Sequence, residues 1–281
     1  MRLMTLRTAA GTRAARVEGE HAVEIDAPDV GALLADPGWR ARAEAADGIR
    51  HELTGADVAP VVPRPGKILC VGLNYRTHIL EMGRDLPAHP TLFAKFPEAL
   101  IGPGDPVRLD TEAEAVDWEA ELAVVVGAPV RRAGEDDAAA AIAGFAVLND
   151  VTMRGWQYRT TQWLQGKTFE ATTPLGPELV TPDELPGGVR PALDLRCTVD
   201  GETVQSANTA DLVFDPVALV AYISTILTLN PGDVIATGTP GGVGHARKPP
   251  RYLRDGVVLG TEIQLLGSQH NPVRAGAAIP A

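Results

Sequence analysis

Three acidic residues occupy alternate positions in the segment DWEAELAVVV, residues 117–126. The apolar run after Glu121 predicts a strand over 118–126, and side chains two residues apart lie on the same face of a strand. Glu119 and Glu121 are therefore expected side by side, with Asp117 beside them if the strand reaches back that far. Such neighbouring carboxylates are costly unless a cation lies between them. The pattern indicates a metal site, and a solvated strand edge is the alternative.

A further carboxylate ends the next apolar run. The segment GFAVLND, residues 144–150, places Asp150 directly after a predicted strand, a frequent position for functional groups. Read alone, the segment is more typical of an ordinary turn in which Asp150 ends the strand. Three carboxylates with water molecules would suit a hard octahedral ion such as Mg²⁺ or Mn²⁺.

Two groups of polar residues could move protons or hold an anion. His78 and Glu81 are spaced so that they are neighbours if residues 74–81 form a helix rather than a loop, and a carboxylate raises the basicity of an imidazole. Lys167, expected at the start of a strand, could neutralise an enolate. For each group the alternative is an ordinary solvated side chain.

The glycine-rich segment GTPGGVG, residues 238–244, lacks the Lys-Ser/Thr ending of a phosphate-binding loop. Its glycines would instead let backbone amides approach a small carboxylate.

The elements that position these residues indicate a β-rich α+β protein. Residues 1–62 read as a small N-terminal α/β module: a leading strand, a hairpin turning at Gly19 and two short helical pieces. A proline-rich linker over 60–66 precedes the catalytic domain, assigned to 63–281. In that domain an Asp-Gly hairpin turns at 200–201, a helix covers 217–227, and a strand over 257–264 closes the pattern.

The composition narrows the possible partners. The 281 residues carry a formal net charge of -11, which argues against nucleic acid and anionic membranes, because both need a basic surface. The two cysteines form no disulfide framework or zinc motif. No apolar run approaches a membrane span, and the N-terminus lacks a signal-peptide core, so a cytoplasmic protein is expected.

Taken together, six segments in order resemble the fumarylacetoacetate hydrolase family over residues 65 to 268. They are GLNYRTHILE (72–81), DWEAELAVVVG (117–127), LNDVTMR (148–154), QGKTFEATTPLGP (165–177), LNPGDVIATGTPGGVG (229–244) and VVLGTEIQLLG (257–267). Two positions differ from parts of the family. Ile79-Leu80 is more apolar than the usual pair, and Asn74 stands where larger members carry a metal-binding Asp.

The resemblance implies a mixed β-sandwich roll, a homodimer, and an Mg²⁺ or Mn²⁺ ion that binds a small 2-oxo acid. It also implies roles for individual residues. The metal ligands would be Glu119, Glu121 and Asp150; the catalytic residues His78, Glu81 and Lys167; and the substrate-binding residues Arg154, Gln157 and Thr239.

The expected activity is hydrolysis of a C–C bond in an acylpyruvate such as fumarylpyruvate, with water activated by His78 and Glu81. Three alternatives stay open. Oxaloacetate decarboxylases and isomerases or tautomerases of hydroxylated dienedioates would use the same enolate. A catalytically inactive binding protein on the same fold is the alternative from another class. The basic segment HARKPPRYLR, residues 245–254, is either a solvated loop or a collar for a second carboxylate.

Overall fold

The computed structural model of the chain describes residues 1–110 and 113–276. The predicted β-rich α+β class is confirmed, with two large sheets packed as a sandwich. The last five residues of the predicted catalytic domain, 277–281, lie outside the described residues. None of the described helices is both long and apolar enough to span a bilayer.

The strands of the described residues are mostly short. They are β1 Arg2–Thr8, β2 Gly11–Glu18, β3 His21–Glu24, β4 Arg50–Glu52, β5 Ile68–Gly72, β6 Thr91–Lys95, β7 Leu100–Ile101, β8 Val107–Leu109, β9 Val116–Asp117, β10 Ala120–Val126, β11 Ile142–Asn149, β12 Thr152–Met153, β13 Thr173–Pro174, β14 Leu179–Val180, β15 Asp194–Val199, β16 Glu202–Asn208, β17 Val234–Ala236, β18 Val258–Ile263 and β19 Gly267–Ala275.

The helices lie between and around the two sheets. They are α1 Val30–Leu34, α2 Trp39–Glu44, α3 Arg76–Glu81, α4 Glu135–Ala140, α5 Arg154–Gln157, α6 Leu164–Lys167 and α7 Pro216–Ile226, with 3-10 turns at Pro97–Ala99, Pro182–Glu184, Thr209–Asp211 and Gly244–Ala246.

The larger sheet has ten strands in the order β4-β3-β2-β1-β14-β11-β10-β17-β5-β6, and β10 lies near its centre. Residues of β10 point alternately to two apolar clusters. Leu122 and Val124 belong to one cluster, and Ala123 and Val125 belong to the other. Because β10 is buried on both faces, its sequence is a continuous apolar run rather than an alternating pattern.

The smaller sheet has five strands in the order β16-β15-β18-β19-β8. Its inward residues, including Leu195, Cys197 and Leu259, share one apolar cluster with Leu122 and Val124 of the larger sheet. The predicted turn at 200–201 joins β15 to β16. The two sheets therefore bury one common core, as expected for a sandwich.

The N-terminal segment forms the predicted hairpin and two helices. Its first strand, β1, pairs with β14, so the ten-stranded sheet runs through both predicted domains. Leu33 and Leu34 of α1 pack in the cluster that also holds Ala123 and Val125 of β10. The division at residue 62/63 stays a prediction.

Three expectations about the elements were wrong in detail. The strand predicted over 118–126 begins at Ala120. The Glu119 N–H donates to the Asn149 side-chain oxygen at 3.0 Å, and this bond interrupts the regular backbone pairing of the strand. Lys167 ends α6 and does not start a strand. The strand over 257–264 does not close the fold, because β19 follows it.

Strand β19 was not predicted from the sequence, and there is a physical reason for this. Its inward residues include Gln269 and Asn271, which are fully buried and donate hydrogen bonds to backbone carbonyls. A strand that buries amides lacks the apolar alternation by which strands are recognised.

Candidate functional site

Three carboxylates meet on the larger sheet. Glu119 directly precedes β10, Glu121 is its second residue, and Asp150 follows the neighbouring strand β11. Each offers an oxygen atom within 4.8 Å of the others, and all three side chains are buried. The structure thus brings together the three predicted metal ligands. The alternative, in which these carboxylates lie on a solvated strand edge, is wrong because all three are buried.

Two buried lysines neutralise part of this charge. Lys167 Nζ lies 2.6 Å from both Glu119 Oε2 and Asp150 Oδ2, and Lys95 Nζ lies 2.7 Å from Asp150 Oδ1. Burial alone would raise the pKa of Asp150, but Lys167 and Lys95 outweigh it and hold the pKa at about 2. Burial likewise opposes the charge of Lys167, but Asp150 and Glu119 raise its pKa.

Lys95 is a site residue that sequence reasoning missed. It ends β6, an edge strand, yet its side chain is fully buried and also donates to the Val151 carbonyl at 3.2 Å. A single lysine at the end of a short strand carries no local signal of burial, since lysines are rarely buried without a partner. Only the fold brings its partner Asp150 within reach.

Glu121 has no lysine of its own. Its Oε2 accepts a hydrogen bond from the Gly238 N–H at 2.7 Å. Burial, followed by the charges of Asp150 and Glu119, raises its pKa well above the ordinary value. Gly238 has φ +105° and a Cβ there would lie 2.9 Å from Asn74, so this approach requires glycine. The glycine-rich loop therefore serves a carboxylate of the protein itself.

The residues present fit a divalent cation. Among the described residues, Glu119 pairs with Arg154 and Lys167, and Asp150 pairs with Lys95 and Lys167, but no lysine or arginine pairs with Glu121. An added cation would relieve the crowding that raises the pKa of Glu121. Oxygen ligands of this kind suit Mg²⁺ or Mn²⁺.

Arg154, predicted to bind substrate, already binds three side chains of the protein. Its guanidinium contacts Asp117 Oδ2 at 2.8 Å and Glu119 Oε1 at 2.6 Å, and its Nη1 donates to Gln157 Oε1 at 2.8 Å. This leaves the Gln157 N–H groups available to the adjoining cavity, which both residues line. Arg154 is thus placed to orient Gln157 and Glu119.

Asp117 does not join the metal cluster. Its Oδ1 accepts from the Gly244 N–H at 2.6 Å and its Oδ2 from the His245 N–H at 3.0 Å. Because Asp117 ends β9 and the same carboxylate binds Arg154, it connects the loop after β17 to β9 and to α5. The possibility that Asp117 lies beside the two glutamates fails because the strand is interrupted at 118–119.

His78 and Glu81 lie on α3; His78 lines the same cavity as Glu119 and Glu121, whereas Glu81 is exposed and is not part of the lining. A Cβ on Gly241 would be 3.1 Å from His78 Nδ1 and 3.7 Å from Glu81 Oε2, so both groups face the same glycine. No hydrogen bond joins the two side chains in the described residues. Burial lowers the pKa of His78 and outweighs the opposite effect of Glu81 and Glu119.

The cavity between these elements has a volume of about 320 Å³. Its lining includes, of the predicted site residues, His78, Glu119, Glu121, Arg154, Gln157, Lys167 and Thr239. The Thr239 hydroxyl donates to the Ala120 carbonyl at 3.0 Å and accepts from Gln205 at 2.8 Å. This volume is at the lower end for small-molecule sites, about 300–1,000 Å³.

The basic segment 245–254 does not form the suggested collar. Arg247 donates to the Val204 carbonyl at 2.9 Å and lies over the Trp118 ring, and Arg251 pairs with Glu202 at 2.7 Å. Only His245 and Ala246 of this segment line the cavity.

Asn74 performs a structural task. Its Nδ2 donates to the Phe214 and Thr237 carbonyls at 3.0 and 2.7 Å, and its Oδ1 accepts from the Phe214 N–H at 2.8 Å. It is fully buried and does not line the cavity.

We expect Asn74→Asp to destabilise the fold by about 3 kcal/mol or more, because a carboxylate would replace the donor facing two carbonyls. Urea unfolding of the metal-free protein measures this loss. Asn230→Asp, at an exposed position, should change the free energy of unfolding by less than about 0.5 kcal/mol. Unchanged stability with tighter Mg²⁺ binding in N74D would instead make position 74 part of the metal site.

The chain matches the family model described as fumarylacetoacetate (FAA) hydrolase C-terminal over residues 67–274. It is 45% identical over 233 residues to the mitochondrial oxaloacetate tautomerase fahd2 of Xenopus laevis, covering 82% of this chain and 72% of that protein.

Solved structures agree with this match. A fumarylacetoacetate hydrolase from Exiguobacterium antarcticum is 30% identical with a TM-score of 0.87, covering 98% of this chain and 100% of that one. A 2-hydroxyhepta-2,4-diene-1,7-dioate isomerase from Mycobacterium marinum is 31% identical with a TM-score of 0.81, covering 99% and 100%.

Proposed function

Because this chain belongs to the fumarylacetoacetate hydrolase family, we propose that it is a divalent-metal-dependent tautomerase of a small 2-oxo diacid, with oxaloacetate as the first candidate. The observation that carries the proposal is that Glu119, Glu121 and Lys167 line one small cavity together with His78, and that Asp150 lies within 4.8 Å of the two glutamates. The similarity to an oxaloacetate tautomerase over most of the chain supports the choice of reaction. The predicted C–C hydrolase activity lacks that support.

Tautomerisation moves one proton. In the direction from enol to ketone, the hydroxyl at C2 loses its proton and C3 gains one. Glu119, Glu121 and Asp150 would hold a divalent cation, which when bound supplies Lewis-acid polarisation of the 2-oxo group. Lys167, kept protonated by its two carboxylate neighbours, adds a fixed positive charge for the enolate.

The remaining residues handle the substrate and the proton. Gln157, oriented by Arg154, would donate a hydrogen bond to the substrate. His78, with Glu81 nearby, would exchange the proton at C3. We carry over Thr239 as a substrate neighbour at the cavity wall. The proposal includes a homodimer, with no nucleic-acid or membrane partner. The cytoplasmic location stays a prediction, and the named relative is mitochondrial.

A dienedioate isomerase is the second candidate, favoured by the solved structure of that name with 31% identity. It would shift a proton in a longer diacid at the same residues. Decarboxylation and C–C hydrolysis would each break a C–C bond and leave a pyruvate enolate, which the same residues could stabilise, and the two reactions differ in the fragment that leaves.

The function is tested by adding the Mg²⁺-loaded protein to freshly dissolved enol-oxaloacetate and following the ultraviolet absorbance of the enol. Faster loss of the enol without pyruvate release supports a tautomerase. Pyruvate with carbon dioxide would indicate a decarboxylase. Fumarylpyruvate and a hydroxylated dienedioate complete the panel: pyruvate with a free acid from the former would establish the hydrolase. Conversion of the latter alone would establish the isomerase.

The pH dependence should reflect His78. Its pKa lies below the ordinary value of about 6.5, so the imidazole stays neutral to lower pH than an exposed histidine. The rate should therefore be retained at neutral pH and fall only as the pH drops through that lowered pKa. We expect His78→Gln to reduce kcat about 10²- to 10⁴-fold and to remove this acid limb.

Steady-state rates between pH 5 and pH 8 measure the effect. His21→Gln is the matched control, because His21 lies on β3 and pairs with Glu52 away from the cavity. If the acid limb persists in H78Q, another group must exchange the proton.

A further inference from the structure

The cations that line the cavity differ in whether they are already paired. Arg154 and Lys167 are both held by buried carboxylates at 2.6 Å. Arg84 is the third arginine or lysine of the lining, and it is exposed. Among the described residues, its guanidinium makes no ion pair or side-chain hydrogen bond. It is therefore free to bind an anion that enters the cavity.

Arg84 is held close to the proposed proton-transfer residue. It follows α3, the helix that carries His78, and its backbone N–H donates to the Ile79 carbonyl at 3.2 Å. Burial is the largest cause of the lowered pKa of His78, and the charges of Glu81 and Glu119 oppose it. The charge of Arg84 also lowers this pKa. His78 thus lies within electrostatic range of both Glu119 and Arg84.

The cavity therefore offers two separate cationic groups. Lys167, beside the carboxylate cluster and the cation that this cluster would hold, would bind the 2-oxo acid group. Arg84 is the second group, and His78 lies within electrostatic range of Arg84 and of Glu119. In a protein with a net charge of -11, a free arginine in the cavity is a specific attraction for a second carboxylate.

We propose that Arg84 binds the distal carboxylate of the substrate and selects dicarboxylic over monocarboxylic 2-oxo acids. This inference rests on the proposed function and adds the residue that would select the diacid. It differs from the collar considered as one of two readings of 245–254, because Arg247 and Arg251 of that segment are bound to other groups of the protein.

The test compares oxaloacetate with 2-oxobutanoate, which has the same chain length and one carboxylate. Deuterium exchange at C3 is followed by proton NMR in the Mg²⁺-loaded protein, and binding of both compounds is measured by calorimetry. For oxaloacetate we expect Arg84→Gln to lower kcat/KM and affinity about 10- to 100-fold. For 2-oxobutanoate both should change less than about twofold, and Arg84→Lys should recover part of the loss.

Arg76→Gln is the matched control, because Arg76 is exposed on α3 but does not line the cavity. Equal losses for both compounds in R84Q, or no loss for either, would overturn the role of Arg84. If the wild-type protein exchanges neither compound, the proposed tautomerase activity fails. The calorimetric comparison then still decides whether Arg84 selects the dicarboxylate.

Discussion

Replacing Glu121 with glutamine should abolish function and spare the fold. Glutamine has nearly the same shape, and its Oε1 can still accept the Gly238 N–H bond that Glu121 accepts at 2.7 Å. It removes one of the three carboxylate charges that would hold the cation. We expect Mg²⁺ affinity to fall on the order of 100-fold or more, and oxaloacetate turnover to fall with it.

The stability of the metal-free protein should move in the opposite direction. Burial and the neighbouring carboxylates raise the pKa of Glu121 in the folded state. A carboxyl group whose pKa is raised by folding costs stability once the pH exceeds its unfolded value, because ionisation is then harder in the folded protein. Glutamine lacks that cost, so E121Q should unfold at the same or a higher urea concentration.

Calorimetric Mg²⁺ titration and urea unfolding measure the two effects. Glu262→Gln, at an exposed position of β18, is the matched control and should leave both unchanged. An E121Q protein that binds Mg²⁺ like the wild type would mean that Glu121 is not a ligand. A marked loss of stability without metal would mean that its charge is needed by the fold.

Lys95→Met should have the largest effect on stability. The ammonium is fully buried and lies 2.7 Å from Asp150 Oδ1. Methionine fills a similar space without the charge, so Asp150 loses one of the two cations that hold its pKa at about 2 against the effect of burial. Breaking one side of a buried ion pair costs about 3–5 kcal/mol. We expect a loss of that size in the metal-free protein.

Urea unfolding at constant pH measures this loss, and Lys67→Met supplies a comparison. Lys67 Nζ pairs with Asp233 Oδ2 at 2.8 Å, but its side chain is 28% exposed. Water can replace part of that interaction, so K67M should cost less than K95M. A loss below about 1 kcal/mol in K95M would show that Lys167 alone compensates Asp150.

The sequence was informative where function depends on local spacing. The proximity of Glu119 and Glu121, and the place of Asp150 directly after the next strand, were predictable from their spacing and from the apolar runs beside them, although the regular strand begins only at Ala120. The match over residues 67–274 confirms the family that these segments indicated. The choice between hydrolysis and tautomerisation could not be made this way, since both reactions pass through an enolate of a 2-oxo acid that the same residues would stabilise.

What the sequence could not supply were partners that only the fold brings together. Lys95 and Asp150 are 55 residues apart, and nothing in the local sequence of either residue indicates that it contacts the other. The ion pairs of Arg154 with Asp117 and Glu119 could not be predicted for the same reason. Local pattern predicts which residues share a face, but not which distant cation neutralises them.

The pairing of β1 with β14 has a consequence for any shortened form of this chain. Residues 1–62 are not a removable appendage: Arg2 and Leu3 pair with Val180 and Leu179, and the Met1 ammonium donates to the Thr181 hydroxyl at 2.6 Å. Their removal would turn the short strand β14, which then pairs only with β11, into an exposed edge strand. Exposed edge strands can pair with other chains. A protein lacking residues 1–62 is therefore expected to aggregate rather than yield a minimal enzyme.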